Sequence, residues 1–99
     1  MEKKVLYLPL KKEWFEMIKS GEKTEEYREV KEYWKKRLFN HEYEYVEFTL
    51  GYPKSDDFEK RMRFKINSIK IGPGIERFGA EPRRIYYVIK FGDKIEMGG

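Results

Sequence analysis

The most informative absence in this 99-residue sequence is cysteine, which does not occur at all. Disulfide bonds and thiolate zinc cages are therefore excluded, and a reducing compartment is compatible with the composition. Histidine occurs once, as His41 in a polar turn. A Ser-His-Asp triad needs a histidine beside its nucleophile, and a His-rich metal site needs several. With only His41 available the sequence predicts neither, and we expect no metal and no cofactor.

Long hydrophobic runs are missing as well. The apolar stretch near the N-terminus, Val5–Leu10, is interrupted by Pro9 and followed by Lys11 and Lys12. That stretch is too short for the hydrophobic region of a signal peptide, and a membrane-spanning helix takes about 20 apolar residues. We therefore expect a cytoplasmic protein without a membrane partner.

What the sequence has in abundance is charge. Charged residues make up 40% of the chain, the formal net charge is +4, and glutamine is absent like cysteine. A Lys- and Glu-rich composition is typical of thermophilic proteins, which predicts a thermophilic source. The positive balance favours an anionic partner such as RNA or a nucleotide, because basic domains attract phosphate groups. Charges of alternating sign on solvated surfaces explain most of the same composition without any partner.

The length fits a single domain over residues 1–99. Alternating or continuous apolar runs predict strands, and apolar residues three or four apart predict helices. Because the strands and helices do not alternate regularly, the pattern favours an α+β fold with a mostly antiparallel, five- or six-stranded β-barrel and two short helices. Strands are expected at Lys4–Leu8, Glu25–Val30, Tyr43–Leu50, Arg61–Ile71 and Arg84–Phe91, with brief pairing at Lys94–Met97, and helices at Lys11–Ser20 and Lys31–Phe39.

The same periodicities predict which side chains face the core. Residues 72–82 are expected to form the longest irregular segment. A slip or bulge is expected near Asn67–Ser68, because the alternation of the fourth strand changes phase there. The predicted core residues are Leu10, Trp14, Met17 and Ile18 around the first helix, Tyr33, Trp34 and Leu38 in the second, Val46, Phe48 and Leu50 in the third strand, and Met62, Phe64, Ile66 and Ile69 in the fourth.

The stretch Gly21–Arg28 admits two conformations. If Glu25–Val30 is extended, Glu26 and Arg28 point to the same face, roughly 6 to 7 Å apart, and Tyr27 points to the other. Alternatively, Thr24 caps one continuous helix that reaches Leu38. Periodicity alone does not decide between them.

Four residues of this stretch, Gly21, Lys23, Glu26 and Arg28, resemble the G-x-K-x-x-E-x-R signature of ASCH domains, which are small relatives of the PUA RNA-binding fold. In ASCH proteins the signature follows a first strand and a first helix, and residues 5–20 fit both. The resemblance extends over nearly the whole chain. It implies a PUA-like barrel, favours the extended conformation after Thr24, and implies a cleft for RNA or a nucleotide beside the first helix.

The resemblance also implies roles for individual residues. Gly21 makes the turn, Lys23 contacts a phosphate or polarises a carbonyl, and Glu26 accepts hydrogen bonds or acts as a base. Arg28 either holds Glu26 in place or binds a phosphate bidentately. Lys23, Glu26 and Arg28 are thus the candidate catalytic residues, and Lys23, Tyr27 and Arg28 are candidate ligand contacts. The alternative is a structural ion pair between Glu26 and Arg28 that only orders the loop.

Further candidate RNA contacts lie outside the signature. An aromatic ring can stack on a base, which contributes about 1 to 3 kcal/mol per base. Each candidate also has a structural interpretation as an ordinary surface residue, a turn, or a ring that caps the barrel. These candidates are Tyr52, Lys54, Phe78 and Arg83, together with the basic face of the second helix at Lys31, Lys35, Lys36 and Arg37.

RNA or nucleotide binding is the expected function, and two alternatives stay open. Some ASCH relatives hydrolyse an acyl amide on a modified cytidine, but they carry threonine at the position that Glu26 occupies here. Other relatives are described as ribonucleases. A hydrolase acting on RNA or on a modified nucleoside is therefore the second hypothesis, and a protein interaction module is the third.

Overall fold

The structure, a computed structural model, describes residues 4–97. Within that range the chain forms five strands, two α-helices and two short 3-10 turns. Neither helix in this part of the chain is long and apolar enough to cross a membrane. The elements are β1 (Lys4–Leu10), α1 (Lys12–Lys19), β2 (Glu25–Glu29), α2 (Glu32–Phe39), β3 (Tyr43–Leu50), β4 (Arg61–Pro73) and β5 (Ile85–Ile95), with the 3-10 turns at Phe58–Lys60 and Glu76–Phe78.

The five strands form one sheet in the order β1-β3-β4-β5-β2. Only β1 and β3 pair in parallel, whereas the other three pairings are antiparallel. The sheet curls into a half-barrel. The predicted α+β class with five mostly antiparallel strands and two short helices is therefore confirmed. Strand β5 is flanked by strands on both sides, which fits its nearly continuous apolar sequence.

The backbone is extended immediately after Thr24. Strand β2 pairs with β5 from Glu25 opposite Lys90 to Glu29 opposite Tyr86, and α2 begins only at Glu32. A single helix from Thr24 to Leu38 is thus excluded. The local sequence supports both conformations. Only the extended one pairs with the backbone N–H and C=O groups of β5, which a helix would leave without hydrogen-bond partners on that side.

The main core combines residues of both helices with one face of the sheet. In α1 Ile18 is buried as predicted and Trp14 is half-buried against the core, whereas Phe15, which was not predicted, is buried as well. In α2 Leu38 is buried as predicted, but Tyr33 is 61% exposed, so its placement in the core was wrong. A helix of eight residues presents only a narrow apolar stripe, and one position of rotation, about 100°, moves a ring from core to surface.

A smaller apolar cluster lies around β2 and β5. It contains Tyr27, Phe78, Ala80, Tyr86 and Val88, with Met17 packed against it. The irregular segment between β4 and β5 supplies two of these residues. That segment begins later than predicted, because β4 continues through Pro73, paired with Ile85.

Strand β4 changes register along its length. The pairing with β5 shifts between Phe64 and Ile66 and again between Ile66 and Ser68, which confirms the predicted irregularity near Asn67–Ser68. A β-bulge bends its strand and strengthens the twist. These shifts therefore help the long strand to follow the curl of the sheet.

Candidate functional site

The turn that follows α1 positions the first signature side chain. Gly21 has a φ of +88°, a left-handed conformation that favours glycine, so its predicted role in the turn is confirmed. The backbone N–H of Lys23 then donates to the carbonyl of Met17 at 3.0 Å. This bond folds the chain back against α1 and directs Lys23 inward just before β2 begins.

The ammonium group of Lys23 is enclosed. Its Nζ lies 2.9 Å from Oε1 of Glu26 and donates to the carbonyl of Phe78. The same atom lies 4.5 Å from the ring centroid of Trp14 and 5.3 Å from that of Tyr27, within the range of cation–π attraction. Lys23 is only 2% exposed. Burial lowers the pKa of Lys23 below its ordinary value, and the charge of Glu26 opposes that shift.

Glu26 connects Lys23 to Arg28. Its Oε2 lies 3.2 Å from Nη1 of Arg28, and its Oε1 accepts from the backbone N–H of Tyr27 at 2.9 Å. Arg28 also donates to the carbonyl of Tyr27 at 2.8 Å and to that of Pro9 at 3.4 Å. The last bond joins the two edge strands of the half-barrel, β2 and β1, through a side chain.

The signature residues therefore meet as predicted, but inside the protein rather than around an open cleft. Lys23 and Glu26 are 2% and 5% exposed, and neither can contact a ligand in this conformation. Arg28 holds Glu26 in place, which is the structural role considered for it. The guanidinium carbon of Arg28 also lies 5.2 Å from the ring centroid of Trp34, so the network reaches α2.

Tyr27 and Phe78, the two aromatic candidates near the signature, are packed into the protein. The backbone N–H of Ile75 donates to the hydroxyl of Tyr27 at 2.8 Å, and burial raises the pKa of Tyr27 to about 12. Phe78 is 2% exposed and offers no free face to a base. The backbone carbonyl of Phe78 accepts a hydrogen bond from Lys23, and this bond connects Phe78 to the signature residues.

The remaining candidates lie at the surface. Tyr52 is 93% exposed and lines a groove with a volume of about 570 Å³. Lys54 is exposed beside it, and its carbonyl accepts from Arg61 at 3.2 Å. Arg83 is exposed with a φ of +59° and does not line this groove.

We call the groove that Tyr52 lines the aromatic groove. It lies between β1, α2 and the loop that follows β3. Arg37 of α2, part of the basic face predicted from the sequence, donates to the carbonyl of Tyr7 at 3.0 Å. This bond fastens α2 to the edge strand. The groove is lined by Tyr7, Leu8, Pro9, Tyr33, Trp34, Arg37, Thr49, Gly51, Tyr52, Pro53 and Arg61.

One wall of the groove is held by a buried carboxylate that the sequence analysis did not identify as a site residue. Glu47 on β3 is 2% exposed. Its two oxygens lie 2.7 Å from Nη1 of Arg61 and 2.8 Å from Nη2 of Arg63. Arg61 also donates to the carbonyl of Pro53 at 2.8 Å, next to Tyr52. Glu47 thereby fixes the loop that presents the Tyr52 ring.

Sequence reasoning missed Tyr7, Tyr33 and Arg61 as groove residues, and the reasons differ. Tyr33 and Arg37 are four residues apart on α2 and so share a face, a signal that could have placed both rather than Arg37 alone at one surface. Tyr7 lies within an apolar run and Arg61 lies far away in sequence. Only strand pairing brings these two near α2.

Among residues 4–97, no group of three or more His, Asp or Glu side chains is arranged to hold a metal ion. Comparisons of the chain with protein-family models, with curated proteins and with solved structures gave no significant match.

Proposed function

We propose that this chain is an ASCH-type domain with a PUA-like fold that binds single-stranded RNA or a nucleotide in the aromatic groove. One observation carries the proposal, the exposure of Tyr33 and Tyr52 beside the guanidinium groups of Arg37 and Arg61. Unpaired bases stack on tyrosine faces, and arginine binds phosphate oxygens. The groove also lies within the 300 to 1,000 Å³ typical of small-molecule sites.

In this proposal the signature residues support the groove instead of contacting the ligand. Lys23 and Glu26 fix Arg28, and Arg28 packs on Trp34 while bonding to the carbonyl of Pro9. Trp34 and Pro9 both line the groove. An ion network below a binding surface can keep that surface in one conformation, since buried charges with satisfied partners rigidify their surroundings.

The arrangement of the elements supports the ASCH-type assignment. A first strand and a first helix precede the G-x-K-x-x-E-x-R segment, which is extended and pairs with the last strand. A curled, mostly antiparallel sheet with two short helices is compatible with a PUA-like fold.

Fluorescence anisotropy with labelled single-stranded RNA oligonucleotides, repeated at increasing salt concentration, tests RNA binding. Phosphate contacts release counterions, so affinity should fall with salt. Tyr33→Ala and Tyr52→Ala should each weaken binding by roughly 5- to 150-fold, the equivalent of about 1 to 3 kcal/mol per stacked base. Phe58→Ala is the matched control, because Phe58 is an exposed aromatic residue outside the groove.

Salt-dependent binding that is equally strong in the tyrosine variants would contradict the groove as the site. An absence of binding to RNA and to mononucleotides would instead favour a protein interaction module. The RNA recovered from the same samples should keep its length. Shortening that disappears in Lys23→Ala would favour the hydrolase hypothesis and would require Lys23 to become accessible.

A further inference from the structure

A second pocket, with a volume of about 320 Å³, lies over β2, β4 and β5. It shares no lining residue with the aromatic groove, and none of its residues was a candidate site residue. Its lining residues are Glu25, Ser68, Lys70, Ile71, Gly72, Pro73, Val88 and Lys90.

Strand register assembles the polar part of this pocket. Glu25 on β2 is opposite Lys90 on β5, and Lys90 is in turn opposite Ser68 on β4. In the adjacent row Val88 is opposite Lys70. Directly opposed residues point to the same face with Cβ atoms about 4.5 to 5.5 Å apart. A carboxylate, a hydroxyl and two ammonium groups therefore border one depression in the sheet.

Glu25 is the unusual member of this set. It is only 9% exposed, yet among residues 4–97 its carboxylate has no ion pair and no hydrogen-bond partner. The other two buried glutamates, Glu26 and Glu47, each contact two cationic side chains. Within residues 4–97 no buried side-chain oxygen lacks a hydrogen-bond partner, so the carboxylate oxygens of Glu25 keep contact with solvent although most of the residue is covered. Because Glu25 lines the pocket, that acceptor capacity is open to a ligand there.

We propose that this pocket binds a phosphorylated ribose, either ribose 5-phosphate or the sugar-phosphate part of a mononucleotide. The Glu25 carboxylate would accept hydrogen bonds from neighbouring sugar hydroxyls, and the ammonium groups of Lys70 and Lys90 would pair with the phosphate. Val88 and Pro73, which also line the pocket, form its apolar part. One carboxylate and two ammonium groups give a net charge of +1, which suits an anionic ligand that also carries hydrogen-bond donors.

The mixed charge of the pocket argues against simpler ligands. A bare phosphate would gain the two lysines, but its negative charge would be repelled by the Glu25 carboxylate, and it offers no pair of neighbouring sugar hydroxyls to that carboxylate. A divalent cation would find one carboxylate beside two ammonium groups. This second site does not depend on RNA binding in the aromatic groove, and either proposal can fail without the other.

NMR titration of the ¹⁵N-labelled protein tests this proposal, with ribose 5-phosphate, inorganic phosphate and glycine as separate ligands. Ribose 5-phosphate should produce saturable shifts at the amides of Glu25, Lys70 and Val88, with an affinity roughly tenfold higher than that of inorganic phosphate, since hydrogen bonds to a charged group are strong. Glycine, which carries an ammonium group in place of sugar hydroxyls, should bind no better than phosphate.

Three variants separate the contributions of Glu25 and Lys90 to ligand binding. Glu25→Gln should remove most of the preference for ribose 5-phosphate over phosphate, and Lys90→Met should weaken both ligands by about fivefold or more. Lys65→Met is the matched control, because Lys65 is an exposed lysine of β4 outside the pocket. The spectrum itself reports whether each variant folds.

Four results would overturn the proposal. They are no saturable shift at the pocket amides, an affinity for ribose 5-phosphate no higher than that for phosphate, unchanged selectivity in Glu25→Gln, and tighter binding in Lys90→Met. The last result would mean that Lys90 neutralises Glu25 in solution and competes with the ligand.

Discussion

Two buried glutamates, Glu26 and Glu47, are each held by two cationic side chains, but the two networks face different surroundings. Glu26 contacts Lys23 and Arg28, and the lysine end of that network is covered by Trp14 and Phe78. Glu47 contacts two arginines that are partly exposed. We refer to the first as the sealed network and to the second as the open network.

The cations explain much of the difference. A lysine ammonium group is compact and can be enclosed by one carboxylate, one carbonyl and two aromatic rings, as Lys23 is. An arginine presents a planar fork that binds a carboxylate and still donates elsewhere. Arg61 uses that capacity on the carbonyls of Pro53 and Lys54. The sealed network reaches the groove only through the contact of Arg28 with Trp34 and Pro9, whereas Arg61 of the open network bonds directly to the loop that presents Tyr52.

The largest expected effect comes from breaking the sealed network at its centre. Glu26→Ala should lower the free energy of unfolding by about 3 to 5 kcal/mol, because it leaves Lys23 charged, buried and unpaired. Chemical denaturation followed by circular dichroism measures this change. Glu22→Ala, on an exposed residue of the preceding turn, should change stability by less than about 0.5 kcal/mol.

If Lys23→Met/Glu26→Leu is as unstable as Glu26→Ala alone, the loss does not arise from an uncompensated charge. Replacing both members of a buried pair by apolar residues is often close to neutral. The double variant should therefore recover most of the stability, with Arg28 free to donate to carbonyl groups.

The Trp14 ring, which covers the ammonium group of Lys23 in the sealed network, provides the next test. A Cβ atom at Gly79 would lie 2.9 Å from the Trp14 ring, and the φ of Gly79 is +105°. Gly79→Ala should destabilise the protein by about 1 to 3 kcal/mol, through strain in the core and an unfavourable backbone conformation. It should also change the near-ultraviolet circular dichroism of Trp14. Gly21→Ala has a closer φ of +88° and no atom within 4 Å, so it separates the backbone effect from the clash.

The open network is tested by comparing its two arginines. Arg61 and Arg63 both contact Glu47, but only Arg61 also bonds to the loop that carries Tyr52. Arg61→Ala should therefore weaken RNA binding by about tenfold, in line with the loss of charge-assisted hydrogen bonds that order the loop. Arg63→Ala should weaken it by less than about threefold. Equal losses in the two variants would show that overall charge, rather than loop positioning, governs affinity.

The smallest expected effect concerns proton binding by Tyr27 in the wall of the sealed network. Its pKa is raised to about 12, whereas the unfolded chain has the ordinary value of about 10. The folded protein keeps this proton to higher pH, so the resulting stability is complete below about pH 10 and is lost as the pH rises toward 12. By about pH 11 the loss should reach about 1.4 kcal/mol.

Urea denaturation at a series of alkaline pH values measures this decline, and Tyr27→Phe should remove it. Lys23 has the opposite effect on the free energy of unfolding, and it does so at lower pH. Because burial lowers its pKa below the ordinary 10.5, the unfolded chain binds more protons there, and stability rises with pH until about 10.5. Lys23→Met should abolish that rise. A decline above pH 10 that persists unchanged in Tyr27→Phe would contradict the assignment.

Much of the fold followed from local patterns. Continuous and alternating apolar runs identified four of the five strands, whereas the extended conformation of β2 and the turn at Gly21 were expected from the resemblance to ASCH domains. The helical side chains that face the core were harder to predict. Tyr33 was placed in the core and Phe15 was overlooked, because a short helix gives too few turns to fix the orientation of its apolar face.

The sequence by itself determined that this protein forms one small α+β sheet structure without cysteine chemistry, and the signature pattern indicated that Lys23, Glu26 and Arg28 lie together. Tertiary structure alone decided that Lys23 and Glu26 are enclosed and that Tyr7, Tyr33, Tyr52 and Arg61 share a groove. The physical reason is that periodicity along a chain specifies which face a residue occupies, whereas burial depends on what packs against that face. For Lys23 the covering residue is Phe78, 55 positions away in the chain.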